Sequence, residues 1–177
     1  MAEDHGVESP TLSRPTFNMD FDKKVERIRK DYASIKYELP DIDKLDEDFG
    51  ILSSLDKYTF ILRDIEVIIA KKYSHYIQFF ESLRNPKNNS PIFLAFLKSF
   101  NDDDLQEIMD IHNELSKEII KNWKLDVVYS EENTAKTILE HYNNWQTLKF
   151  RILKILEKGN IDLLKRDKSE NNSNYFC

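Results

Sequence analysis

Apolar residues recur along this chain at helical spacing, in four long stretches and one short one. The first, FDKKVERIRKDYASIKYEL, places Phe21, Val25, Ile28, Tyr32, Ile35 and Leu39 at alternating steps of four and three. That is the seam by which helices join a bundle or supercoil. Asp22, Arg29 and Lys36 follow one flank of the seam at seven-residue steps, where interhelical ion pairs sit. The seam lasts only about two and a half heptads, so it predicts packing within a bundle, with a homodimer through the same seam as the alternative. Pro40 is expected to end the helix.

DIDKLDED, closed by Gly50, reads as an acidic connector or a short helix. A long helix is then expected from about Ser54 to Leu83. Tyr58, Leu62, Ile65, Ile69, Tyr76, Phe80 and Leu83 make its main stripe, and Ile61, Ile68 and Phe79 widen it. So wide a stripe predicts a central helix touching more than one neighbour. RNPKNNSP reads as a loop, with Ser90 as N-cap and Pro91 as first helical residue of PIFLAFLKSF, residues 91–100. This short helix, which carries Phe93 and Phe96, is apolar nearly all round, so it is either deeply buried or covered by a partner.

NDDDLQE sets acids at the positive end of the next helix, with capping-box spacing between Asp104 and Glu107. That helix is expected to run to about Trp123, and LDVVYS to be an extended link. Ser130 caps the last long helix, whose apolar arc holds Ala135, Ile138, Tyr142, Trp145, Leu148, Ile152, Ile155 and Leu156. Gly159 reads as its C-terminal stop, with one further turn, IDLLKR, after it. Sustained two-residue alternation is absent. The fold class expected is therefore all-α: a single helical bundle of four main helices plus one short apolar helix over 19–166, between a flexible N-terminal tail (1–18) and a flexible C-terminal tail (167–177).

Composition agrees with that picture. Three glycines among 177 residues leave few positions for the tight turns of an all-β fold or for a phosphate-cradling loop. A chain of this size buries a sufficient core without a metal or disulfide staple. The single cysteine, Cys177, forms no intrachain disulfide, which points to a reducing, cytoplasmic location. No secretory pattern or membrane-length apolar run is visible, and NYFC is not a prenylation box. A net charge of −6 argues against a large phosphate-binding surface. Lys23, Arg27 and Lys30 nevertheless stripe the outer face of the first helix.

His75, His112 and His141 project inward or to the margin of three different apolar faces. Converging imidazoles bind zinc or iron, or act as acid/base groups near neutrality. A helical metal site also needs carboxylates on the same faces, and the positions three and four residues away hold none. Asp104 or Glu118, each near the inner edge of its helix, would have to supply them from elsewhere. The structural alternative is a neutral imidazole at the core edge, bonded to a neighbour. Lys72 and Lys149 also fall in apolar arcs, where lysine snorkels or pairs with an acid from another helix. The acidic connector fails the calcium-loop pattern, since Asp46 and Leu52 stand where it requires Gly and Glu.

Three functions follow from these residues. The first is a non-enzymatic protein–protein interaction module, an adaptor or assembly subunit without cofactor. It would dock a protein partner or a second copy through the seam of Phe21, Val25, Ile28, Tyr32, Ile35 and Leu39, or through Phe93 and Phe96. The second is a bundle metal or acid/base protein using His75, His112 and His141. The third is a nucleic-acid accessory protein using the basic stripe. No membrane partner is expected.

Overall fold

The computed structural model describes residues 17–55, 58–84 and 91–173; for 17–20, 91, 92, 95 and 161–173 it describes the backbone alone. Every regular element among them is a helix: α1 (Phe17–Ala33), α2 (Ile42–Phe49), α3 (Ile51–Ser54), α4 (Ile61–Arg84), α5 (Pro91–Leu97), α6 (Asp102–Val127) and α7 (Glu131–Ser173). The expected cap at Ser90 and nearly all of the expected N-terminal tail lie outside the described residues.

The three longest helices, α4, α6 and α7, pack against one another pairwise, with α5 on α7 and α4, and α2 and α3 on α4. Cross-links give the directions. Arg63 faces Asp126 and Arg84 faces His112, so α4 and α6 are antiparallel. Lys121 meets Glu140 and Arg151 meets Glu107, so α6 and α7 are antiparallel too. α4 and α7 therefore run in the same direction, with Tyr73 beside His141 and Tyr76 beside Trp145. Ile65 and Ile69 of α4, Ile111 and Leu115 of α6, and Ile138 and Leu148 of α7 fill the space between them. Each such side chain contributes roughly 1.5–3 kcal/mol on burial, which holds together helices whose outer faces are polar.

The bounds of four helices differ from the sequence expectation. α1 stops at Ala33, six residues short of Leu39. The Ser34 hydroxyl donates to the Asp31 carbonyl at 2.6 Å, and the Tyr32 hydroxyl donates to the Pro40 carbonyl at 2.6 Å. These bonds fold the chain back along α1, and Ile35 and Leu39 pack on the core from outside any helix. The helix expected from Ser54 begins only at Ile61, because the chain first makes α2 and α3. Asp41 caps α2, accepting from the Asp43 and Lys44 amides, and Gly50 ends it in the left-handed region at φ 68°. The Asp46 carboxylate then accepts from the Leu52 amide at 2.7 Å and starts α3.

The capping box of α6 is Asn101 with Asp104, not Asp104 with Glu107, and the helix runs on to Val127. Ser130 does cap α7, its hydroxyl accepting from the Asn133 amide at 3.4 Å. Gly159 does not stop α7, which continues to Ser173. The ring of Phe96 lies against the Gly159 backbone where a β-carbon would stand. Gly159 is there to admit α5, not to end α7.

Candidate functional site

The polar residues inside the bundle gather where α4, α6 and α7 meet. His141 is fully buried. Its ring lies 5.3 Å from that of Tyr73, whose hydroxyl donates to the His141 carbonyl at 2.8 Å. His141 Nε2 is 3.3 Å from Glu118 Oε2, but off the line a hydrogen bond requires, and Nδ1 has no partner. Glu118 is better held from the other side: Asn144 Nδ2 donates to Oε1 at 3.0 Å and Lys121 Nζ to Oε2 at 3.1 Å. The same ammonium donates to Glu140 at 3.1 Å. Burial lowers the Lys121 pKa, but its bonds to Glu118 and Glu140 outweigh burial and hold it above the ordinary value.

Burial, helped by the Lys121 ammonium, lowers the His141 pKa from 6.5 to about 4, against the pull of Glu118 and Glu140. The imidazole is neutral at physiological pH. In a neutral-pH NMR titration it is expected to show no midpoint above pH 5; a ring titrating near 6.5 would contradict the burial described. The unfolded chain takes up this proton first as pH falls from 6.5 to about 4, so stability is lost across that window. Without solvent contact, the ring is placed to hold helices together rather than to exchange protons with a substrate.

His112 has other neighbours. Arg84 Nη1 stands 3.2 Å from its Nδ1, and Glu81 Oε1 is 3.7 Å from its Nε2. Since a guanidinium only donates, the ring proton in this geometry sits on Nε2, facing Glu81. His75 is exposed, its ring 5.6 Å from that of Tyr76. The three histidines thus have three separate sets of contacts. Among the described residues no three His, Cys, Asp or Glu side chains form a group that could hold a metal ion. Asp104 is taken by Lys158 and by the α6 cap.

A second buried carboxylate went unnoticed in the sequence. Glu66 of α4 is 5 % exposed and its Oε1 has no hydrogen-bond partner. Burial, with Asp126 nearby, pushes its pKa up from 4.5 to about 7, while Arg63 opposes. Asn122 of α6 is also buried, and neither polar atom of its side chain finds a partner. Tyr73 was missed as well, because Lys71, Lys72 and His75 surround it in sequence.

The expected partner-binding residues divide by position. Ile28, Tyr32 and Phe96 are buried in the core; Val25, Ile35, Leu39 and Phe93 are half-buried against it; Phe21 is exposed. Arg27, in the basic stripe, pairs with Asp31 at 3.7 Å and lies over the Tyr58 ring. Lys149 reaches Asp48 of α2 at 2.9 Å, the acid from another helix that its place in an apolar arc required.

A different surface carries a row of exposed apolar residues. On α6, Ile120, Trp123 and Val127 follow one another at steps of three and four and are 46 %, 64 % and 83 % exposed. Past the helix end Tyr129 is exposed too, and its ring meets Phe60, centroids 6.4 Å apart. Phe60, Tyr129 and Tyr37 border a cavity of about 280 Å³.

No protein-family model, no curated protein and no solved structure matches this chain. Its chemistry has to be read from its own residues. Among the described residues no helix is long and apolar enough to cross a membrane.

Proposed function

We propose that the protein is a non-enzymatic interaction module, an adaptor or assembly subunit, docking a protein partner through the outer face of α6. What supports this reading is one observation: the row Ile120, Trp123 and Val127 lies at helical spacing on the surface, with Trp123 and Val127 more than half exposed. Scattered apolar residues on a surface need no explanation, but a contiguous row that includes a tryptophan is the composition of an interface centre. The seam of α1 belongs to the same reading only at its exposed end, Phe21, since Ile28 and Tyr32 are occupied within the fold.

The test is a native capture from the source cells, comparing the full-length chain with the Trp123→Ser, Val127→Ser double variant and reading metal content on the same eluate. Both positions are exposed, so the variant is expected to fold with little change in stability. A stoichiometric protein retained by the wild type and lost, by roughly tenfold or more, with the variant is the expected result; a buried tryptophan at an interface centre supplies an effect of that order. Equal capture by both chains, or stoichiometric zinc or iron with no protein, would overturn the reading.

A further inference from the structure

The opposite flank of α6, facing α7, is a groove with two depressions in series. One, of about 430 Å³, is lined by Leu125 and Val128 together with Lys121, Lys124, Lys136 and Glu140. The next, of about 300 Å³, is lined by Lys117, Glu118, Asn144 and Leu148. Lys117, Lys121 and Lys124 are spaced i, i+4, i+7, so they stand in a line along one side of the groove. From Glu114 to Val128 the helix rises roughly 20 Å, at about 1.5 Å per residue.

The carboxylates of the groove are already engaged. Glu114 accepts from Arg151 at 2.7 and 2.8 Å, Glu118 from Lys121 and Asn144, and Glu140 from Lys121. Among the described residues no carboxylate pairs with Lys117, Lys124 or Lys136. On a chain of net charge −6, that leaves three lysines without an ion-pair partner along one channel, with the apolar side chains of Leu125 and Val128 at one end of it. A compact anion would fill one depression only. An elongated ligand engages both depressions and all three lysines, and about 20 Å matches a helix of roughly 14 residues.

We propose that the α6–α7 groove docks an acidic amphipathic helix of a partner protein, with its carboxylates on Lys117, Lys124 and Lys136 and its apolar residues over Leu125 and Val128. This rests on the interaction-module reading and names the partner's chemistry. Apolar contact at Leu125 and Val128 supplies affinity, and the lysine line sets orientation and speeds encounter.

The probe is a capped helical peptide of about 14 residues, leucine on one face and glutamate on both flanks, titrated into the ¹⁵N-labelled full-length chain. A twin with lysine in place of glutamate and single-stranded poly(U) are titrated in parallel. Expected are shifts of the amides of 117–128 and 133–148 with the acidic peptide alone, weakened by salt. The Lys124→Glu, Lys136→Glu double variant, altered only at exposed positions, is expected to weaken binding roughly tenfold, while Trp123→Ser leaves it unchanged. Equal binding of the lysine twin, no shift in the groove, or poly(U) occupying the same residues would overturn the proposal. If the groove stays silent while the Trp123, Val127 variant still loses its captured protein, the groove assignment alone fails; if that capture is also unaffected, the interaction-module reading fails with it.

Discussion

Replacing Glu66 with glutamine is expected to stabilise the protein at pH 8 and to leave its stability almost unchanged at pH 4.5. Glu66 is buried with one oxygen unpartnered, and its pKa is raised from 4.5 to about 7. Below pH 4.5 folded and unfolded chains both carry the proton and nothing is lost. As pH rises from 4.5 to about 7 the unfolded chain ionises first, and stability falls. Glutamine has the shape of the protonated acid and no charge to lose. A shift of this size corresponds to roughly 2–4 kcal/mol, or about 5–10 °C in melting temperature for a chain of this length. Melting curves of wild type and E66Q at the two pH values check it. An equal gain at both would show that charge is not the cause. Asp126→Asn, which removes an acid that raises the Glu66 pKa, is part of the same linkage and should make the wild-type loss smaller and complete at a lower pH.

His141 works against Glu66 in the same interval. Its pKa is depressed, so stability is lost as pH falls from 6.5 to about 4. Between about pH 4.5 and 6.5 the two slopes have opposite signs, and the wild-type protein is expected to change little there. E66Q removes one of them and leaves stability rising with pH across that interval.

Gly159→Ala is expected to destabilise the wild-type protein by about 1–2 kcal/mol and to stabilise a Phe96→Ala background by about 1 kcal/mol. Alanine at a helical glycine gains about 1 kcal/mol from backbone entropy and propensity. Here the new methyl would enter the space of the Phe96 ring. That ring is held by Phe79 at 6.1 Å and Phe100 at 5.0 Å, centroid to centroid, so it has little freedom to withdraw. Overpacking of this kind costs about 1–3 kcal/mol and more than cancels the propensity gain. With Phe96 shortened, the clash disappears and the gain remains. The four chains of the double-mutant cycle, unfolded in urea, should give a coupling of about 2–3 kcal/mol. Additive effects would mean that Phe96 does not rest on Gly159.

The helices were legible because their apolar stripes repeat every three or four residues, and the burial of Leu62, Ile65, Ile69, Ile138 and Leu148 follows those stripes directly. What local pattern could not show was set by residues distant in sequence. A glycine at the end of a periodic run looks the same whether it stops a helix or receives a ring from another, and only the placement of α5 decides. Tyr32 shortens α1 by binding Pro40, a contact that competes with the helix continuing to Leu39. Glu118 was visible as a carboxylate near an inner edge; that it faces His141 depends on the register of α6 against α7. Tyr73 was hidden by polar neighbours, while Glu66 stands between Ile65 and Val67 and is buried by the packing of α4 against α6, which local sequence does not show. LEHYNNW, where a histidine and a tryptophan stand one turn apart, is the inner face of α7: Trp145 packs against Phe49, Tyr73 and Tyr76 while Asn144 reaches Glu118.

The most direct test of the interaction reading is backbone hydrogen exchange of the full-length chain, alone and bound to the protein it captures from its source cells. Slower exchange across the last turns of α6 and on through residues 128–131 is the predicted result. Exchange unchanged there, with protection confined to α1 or to the surroundings of His141, would contradict it.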